Sequence, residues 1–159
     1  MSLIVADAGP IRYLVLCEAI VVLSQLYRRL VIPSAVAEEL AHPHTPAAVR
    51  AWMAALPSWA SVHSAMALDP ASQLGLGERE AIALACELHA TQLLVDDRAA
   101  RRIAAERGLL FTGTIGILEK AAERGLLSLP EAVQRLLRTN FRVDPDVVRA
   151  VLERRPAKE

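Results

Sequence analysis

The amino-acid sequence predicts an α/β fold in which helices cover both faces of a parallel sheet. Short apolar runs alternate with longer segments of helical period along most of the chain. Runs that are apolar throughout are typical of parallel strands buried on both faces, and the helices between them supply the crossover connections. A chain of 159 residues with 53% hydrophobic content can form one complete core but not two ordinary domains. We therefore expect one domain over residues 1–155.

Strands are predicted wherever a short apolar run ends at a turn residue or a charge. These runs are residues 3–6, 30–32, 59–63, 92–95 and 109–111. Residues 59–63 fit either an inner or an edge strand, and residues 64–77 have no clear period.

Helices are predicted where apolar residues recur at helical spacing or where proline and glycine mark a start or a stop. The segments are 10–16, 19–29, 35–41, 47–56, 80–89, 98–107, a helix from Gly113 that stops at Gly125, 129–138 and 144–154.

The composition excludes several classes of protein. No apolar run approaches the roughly 18 residues of a membrane span, and the first residues lack the basic region of a signal peptide. We therefore expect a cytoplasmic protein. Cys17 and Cys86 form no CxxC pair, so no disulfide framework is expected. Eighteen basic residues balance 18 acidic ones and only 4% of residues are aromatic, which argues against a global field or an aromatic platform for nucleic acid.

Four acidic residues stand where strands end or helices begin. Asp7 follows the first strand, Asp96 follows the run Leu93-Leu94-Val95, and Glu39 and Glu78 belong to the segments that begin at Pro33 and Gly75. Each acid alone fits a solvated charge or a helix cap. In open α/β folds, however, the carboxyl edge of the sheet is the ligand-binding crevice. The recurrence predicts carboxylates that converge on divalent cations.

Five motifs in order support a family resemblance that covers the chain from Leu3 to about Leu152. They are Ile4-Val5-Ala6-Asp7-Ala8-Gly9-Pro10-Ile11, then Ile32-Pro33-Ser34-Ala35-Val36 leading to Glu39-Leu40, then Gly77-Glu78-Arg79-Glu80-Ala81-Ile82, then Leu94-Val95-Asp96-Asp97-Arg98-Ala99-Ala100-Arg101, and Gly113-Thr114-Ile115-Gly116-Ile117-Leu118. Together they resemble the PIN-domain superfamily, in particular its prokaryotic branch of unknown function that is related to the VapC toxins.

The resemblance implies a three-layer α/β/α fold with a five-stranded parallel sheet and a Mg²⁺- or Mn²⁺-dependent ribonuclease site. It implies that Asp7, Glu39, Glu78 and Asp96 are the catalytic and metal-binding acids. VapC-type relatives are blocked by a small antitoxin protein and commonly form homodimers. The unusually apolar composition also favours a dimer. The expected function is an RNA endonuclease, in some settings the toxin of a toxin–antitoxin pair; the alternative is a PIN-fold protein with weak catalysis that acts as a binding or regulatory partner.

The third acid has two candidates. Glu78 and Glu80 are two residues apart near a helix start, so their side chains point in different directions and only one should face the site. Glu78 is preferred because Gly77 lets the backbone approach closely. Glu80 is the alternative.

Further polar residues near these motifs have two interpretations each. Asp97 either supports the site from beside Asp96 or caps the helix from Arg98, and Thr114 either contacts a ligand or phosphate or is a helix N-cap. Arg98 and Arg101 lie on one helical face, where they could bind a phosphate or form ordinary solvated surface. His42 and His44 lack a third ligand and are not assigned to a metal.

Overall fold

Five parallel strands form one sheet in the computed structural model of the chain, which describes residues 2–154. The strands are β1 (Leu3–Ala6), β2 (Arg29–Pro33), β3 (Ala60–His63), β4 (Gln92–Leu94) and β5 (Phe111–Thr112). Their order across the sheet is β3-β2-β1-β4-β5. The chain therefore adds strands outward from β1 on one side, then returns to its other side for β4 and β5.

The register of the central strands brings their ends level. Ala6 at the end of β1 is opposite Leu94 at the end of β4, and Val5 is opposite Val31 in β2. Strand β3 pairs with β2 alone and is an edge strand, which decides between the two positions that the sequence allowed.

Helices connect the strands and cover both faces of the sheet. In the described part of the chain they are α1 (Ala8–Leu16), α2 (Val22–Leu26), α3 (Ser34–Leu40), α4 (Ala47–Ala54), α5 (Leu76–Glu87), α6 (Arg98–Glu106), α7 (Thr114–Glu123), α8 (Leu129–Leu137) and α9 (Pro145–Glu153). No helix among residues 2–154 has the length and apolar content to cross a membrane.

Alternate strand residues build two separate cores. Ile4 and Ile32 face the core formed with α1 to α4 and α7 to α9, whereas Val5 and Val31 face the core formed with α5 and α6. All four of these side chains are completely buried. This period of two, with both faces apolar, produces the three-layer α/β/α arrangement that the sequence predicted.

The predicted helix over residues 19–29 was wrong in its extent. Helix α2 covers only residues 22–26, and Tyr27 is already extended, with φ −134° and ψ 155°. The backbone N–H groups of Arg28 and Arg29 donate to the carbonyl oxygen of Ser2 at 3.1 and 3.3 Å, and Arg29 is opposite Leu3 in the sheet. Pairing with β1 therefore overrides the helical period of this segment.

Other boundaries also differ from the sequence prediction, among them those of α5 and β5. Helix α5 begins at Leu76, four residues earlier than predicted, because extended Gly75 precedes it and the Glu78 carboxylate accepts the Gly75 N–H at 3.2 Å. Strand β5 covers residues 111–112 instead of 109–111. The turn at Gly108, with φ 76°, and the bond from Leu109 N to the Ala104 carbonyl hold the chain on the end of α6 until Phe111.

Candidate functional site

The strand order reverses at the boundary between β1 and β4. In an open parallel sheet, the crevice for a ligand opens at the carboxyl ends of the strands where the order reverses. Asp7 follows β1 directly and Asp96 stands two residues after β4. The Asp7 N–H donates to the Leu94 carbonyl oxygen at 2.9 Å, which fixes the start of the Asp7 loop against β4.

Helices α3 and α5 bring two more carboxylates to this crevice. Asp7, Glu39, Glu78 and Asp96 all line one cavity of about 610 Å³. Gly77 is buried between two of them: a methyl group at this position would meet Glu39 Oε1 at 3.4 Å, Asp7 Oδ1 at 3.6 Å and Val36 Cγ2 at 3.2 Å. The absence of a side chain at Gly77 therefore lets α5 approach the acids closely.

Burial and the repulsion of neighbouring acids raise the pKa of Asp7 and of Glu78. Asp7 is only 8% exposed, and burial raises its pKa to about 7. The negative charges of Glu78, Glu39 and Asp96 raise this pKa further, whereas the hydrogen bond from the Ala8 backbone N–H lowers it. Burial also raises the pKa of Glu78, to which the nearby Asp97 and Glu39 charges contribute. Among residues 2–154 no Lys, Arg or His forms a salt bridge with Asp7, Glu39 or Glu78. The cavity thus concentrates negative charge, and the arginine among its lining residues, Arg142, forms no salt bridge with these acids within residues 2–154.

Asp96 is held by the start of helix α7. The Thr114 N–H donates to Asp96 Oδ1 at 2.8 Å and the Thr114 hydroxyl donates to Asp96 Oδ2 at 2.6 Å. Thr114 is completely buried. Gly113 occupies the N-cap position, so the N-cap interpretation of Thr114 was wrong. The two bonds fix the rotamer of Asp96 and leave its remaining lone pairs for another ligand.

The neighbouring residues of the α6 segment have distinct contacts. The Asp97 side chain accepts from Ala100 N at 2.9 Å and caps α6, although Asp97 also lines the cavity. Arg101 donates from Nε to the Val95 carbonyl at 2.9 Å, and its Nη2 lies 4.0 Å from Asp96 Oδ1. Arg98 is exposed and does not line this cavity.

Glu80 points away from the cavity and has a structural role. Its carboxylate accepts the Ala35 N–H at 2.7 Å, the Ala65 N–H at 2.9 Å and the Ser34 hydroxyl at 2.9 Å. These bonds tie α5 to the start of α3 and to the segment after β3. Glu78, two residues earlier, is the one that lines the cavity.

One wall of the cavity was not anticipated from the sequence. The linker between α8 and α9 contributes Asn140, Phe141 and Arg142. The Tyr13 hydroxyl donates to Asn140 Oδ1 at 2.8 Å, and the Tyr13 and Phe141 rings pack edge to face with centroids 5.0 Å apart. Nothing in the local pattern of residues 139–144 signals this role, because it depends on where α8 places the linker.

The donor set fits a hard divalent cation in part. It consists of carboxylate oxygens, which Mg²⁺ and Mn²⁺ prefer. Within residues 2–154, however, no three acidic, imidazole or thiol groups are close enough together to surround one ion as they stand. Mg²⁺ usually keeps several waters and takes only one or two carboxylates together with substrate phosphate oxygens. The cavity therefore fits an ion that is bound by one or two carboxylates, and it does not fit an ion coordinated by all four.

Comparison with known proteins agrees with this fold. A family model described as DUF3368, a PIN domain, matches residues 3–156. A solved structure of a PilT N-terminus domain protein from the hyperthermophilic archaeon Sulfolobus solfataricus P2 is similar, with a TM-score of 0.50 and 15% sequence identity over 91% of this chain and 100% of that chain. The comparison with curated proteins gave no significant match.

The five-stranded parallel sheet flanked by helices is a PIN-like fold, and the chain belongs to this PIN-domain family. The resemblance stated from the motifs is thereby confirmed at the level of the superfamily. PIN domains are generally nucleases that act on nucleic acids, typically with a divalent metal.

Proposed function

We propose that the protein is an endoribonuclease of the VapC type that hydrolyses phosphodiester bonds in single-stranded RNA with Mg²⁺ or Mn²⁺. The observation that carries the proposal is the cavity at the strand-order reversal, where four separate parts of the chain present carboxylates and where Asp7, Glu39 and Glu78 have no salt-bridge partner among residues 2–154. Family membership supports the nuclease class.

Asp7, Glu39, Glu78 and Asp96 are the residues that would hold the metal. A bound divalent cation lowers the pKa of water and neutralises phosphate charge, which are the two requirements of phosphodiester hydrolysis near neutral pH. Since one ion needs only one or two carboxylates, we assign the most buried of these four acids, Asp7, and the one that Thr114 holds, Asp96, to direct contact. Glu39 and Glu78 complete the negative potential that attracts the cation.

The chain's own groups set the pH behaviour and geometry of the site. With a pKa near 7, Asp7 holds a proton below neutrality and releases it when a cation binds, so metal affinity should rise with pH. Thr114 keeps Asp96 in one orientation through two hydrogen bonds. A fixed carboxylate loses little entropy when it binds a ligand, which favours a pre-organised site.

We also propose that the protein forms a homodimer and that a small antitoxin protein regulates it where it acts as a toxin. A shallow cavity of about 580 Å³ lined mainly by small apolar residues of α3 and α4 and by Val62 on the edge strand supports an additional contact surface. A monomer by light scattering at micromolar concentration would count against the dimer. Cells that express the protein and keep growing normally would count against the toxin role.

Cleavage of labelled single-stranded RNA tests the enzymatic proposal. We expect activity with Mg²⁺ or Mn²⁺ but not with Ca²⁺, which tolerates looser geometry and activates water poorly. Asp7→Asn and Asp96→Asn should each remove activity. Glu38→Gln is a matched control, because Glu38 is an exposed acid of α3 that does not line the cavity.

Two outcomes would contradict the enzymatic proposal. Equal cleavage by wild type, Asp7→Asn and Asp96→Asn would assign the activity to another site or to a contaminant. No cleavage of any RNA with either metal would favour the alternative, a PIN-fold binding or regulatory protein, for which the lack of three closely placed ligand groups within residues 2–154 is the supporting observation.

A further inference from the structure

A second cavity adjoins the acidic one on the far side of Asp96. It measures about 450 Å³ and lies among α6, β5, α7 and α9. Asp96, Phe141 and Arg142 line both cavities, whereas Asp7, Glu39 and Glu78 line only the first. The two cavities are therefore neighbours, with Asp96 and the α8–α9 linker at their junction, and together they are called the groove below.

The charge of the groove changes sign across that junction. The first cavity has five carboxylates and a single arginine, Arg142. The second has Arg101, Arg142 and Arg154 against Asp96 and Glu119, and Glu119 is already paired with Arg154 at 2.9 Å. A cation held at the acids would contact one phosphate of a polyanion. The net positive second cavity would then bind the next phosphate, a few ångströms further along the strand.

The arginines at the junction are placed for phosphate binding in different ways. Arg101 is held by its bond to the Val95 carbonyl, and its guanidinium lies 5.4 Å from the centre of the Phe111 ring. Arg142 is exposed and pairs with no carboxylate among residues 2–154. Its neighbours Asn140 and Phe141 are anchored by Tyr13, so the position of its backbone is fixed although its side chain can reach a ligand.

Apart from its charged residues and Thr112, the second cavity is lined by apolar side chains and glycines. Phe141 forms its boundary with the first cavity, and Ile115, Val143, Val147 and Val151 complete the wall. Val147 is 46% exposed. An apolar wall that includes the Phe141 ring and lies beside Arg142 suits a base and its phosphate, because every base has a face that stacks on or packs against such groups. A duplex would keep its bases stacked inside and could not use this wall.

We infer that the second cavity is the subsite for the nucleotide next to the scissile phosphate of a single-stranded RNA, with Arg142 on the phosphate and Phe141 and Val147 against the base. The inference rests on the proposed function and extends it, since it assigns the path of the substrate away from the acids. Arg101 orients the phosphate from the other side while it stays bound to Val95. Arg142 is thus a substrate-binding residue and takes no part in the bond-breaking step.

Fluorescence anisotropy with a labelled eight-nucleotide oligouridylate tests the subsite. Using the full chain without added metal at 50 mM salt, we expect Arg142→Ala to raise Kd about 5- to 10-fold and to reduce the slope of log K against log salt by about 0.7, the contribution of one phosphate contact on a single strand. Arg142→Lys should keep the slope. Arg124→Ala removes an exposed charge at the other end of α7 and should change Kd less than 2-fold.

A second pair of variants tests the base wall. Val147→Glu places a negative charge in the second cavity without altering the acids, and we expect it to weaken RNA binding at least 5-fold. Val21→Glu is its control, since Val21 is 55% exposed, lies between α1 and α2 and lines neither cavity. A blunt RNA duplex of the same length should bind more weakly than the single strand and should lose no further affinity in Val147→Glu.

The failures of the two proposals are distinguishable. If wild type cleaves RNA but Arg142→Ala matches Arg124→Ala in Kd and salt slope, the subsite is refuted and the nuclease proposal stands. In cleavage assays a true subsite should raise KM in Arg142→Ala and leave kcat nearly unchanged. If wild type neither binds nor cleaves the single strand, both proposals fail together.

Discussion

Replacing Asp7 by Asn should stabilise the metal-free protein at neutral pH. The reason is that the folded state raises the pKa of Asp7 to about 7, chiefly by burial, whereas an aspartate in an unfolded chain has a pKa near 3.9. Between these two values the folded state binds more protons than the unfolded state. The contribution of Asp7 to the stability of the wild type therefore falls as the pH rises from about 4 to about 7, and then levels off.

The magnitude follows from the same two values. Each pH unit by which the folded and unfolded pKa differ corresponds to about 1.4 kcal/mol, so the ionised Asp7 costs about 4 kcal/mol of unfolding free energy at pH 8. Asparagine has a similar shape and no charge, so the variant should lack this cost. Allowing for local relaxation around the charge, we expect Asp7→Asn to be about 2 to 4 kcal/mol more stable than wild type at pH 8 and nearly equal to it at pH 4.

Urea unfolding in the presence of EDTA measures this difference at pH 4, 6 and 8. Glu38→Gln removes an exposed acid and should follow the wild-type curve within about 0.5 kcal/mol. Added Mg²⁺ should stabilise the wild type and reduce or invert the advantage of Asp7→Asn, because the ion binds the acid that the variant lacks. The reasoning is refuted if Asp7→Asn has the same pH dependence as the wild type, or is less stable at pH 8.

Three further substitutions have defined outcomes. Thr114→Val removes the hydroxyl that donates to Asp96 and should lower the free energy of unfolding by about 1–2 kcal/mol in urea titrations, and RNA cleavage at least 10-fold, whereas Thr114→Ser should keep most of both. Asp69→Asn breaks the 2.8 Å bond with Arg107, which holds the pKa of Asp69 below its ordinary value. Wild type should exceed the variant by about 1–3 kcal/mol at pH 7. This difference should shrink as the pH falls below about 4, where the unfolded acid takes up its proton, and should vanish once the pH has fallen through the lower pKa of the folded acid. Leu84→Ala should lower the free energy of unfolding by about 2–5 kcal/mol in calorimetry or urea unfolding, because the side chain is buried in the core beneath α5. A loss below about 1 kcal/mol would show that the surrounding side chains move in to fill the space that the leucine leaves.

The alternation of strands and helices could be predicted from the sequence because it depends on the local hydrophobic period and on the prolines, glycines and charges at the segment ends. The runs at β1, β2 and β4 are apolar on both faces, so they are recognisable as buried parallel strands without knowledge of their neighbours. The segment 19–29 misled the same reasoning, since its helical period is real but the backbone N–H groups of Arg28 and Arg29 donate to the carbonyl oxygen of Ser2, just before β1. A local preference for helix is overridden where a neighbouring strand offers hydrogen-bond partners to the backbone.

The sequence by itself determined the topology class and the chemical character of the crevice, because acids that directly follow buried strands must lie at the carboxyl edge of a parallel sheet. Only the tertiary structure shows which of Glu78 and Glu80 lines the cavity, namely Glu78. The packing of Ala81, Ile82 and Ala85 sets how α5 is rotated about its axis, and two residues along a helix differ by about 200°. The wall formed by residues 140–142 was likewise decided by packing, since the bond and ring contact with Tyr13 join residues more than 120 positions apart in the chain.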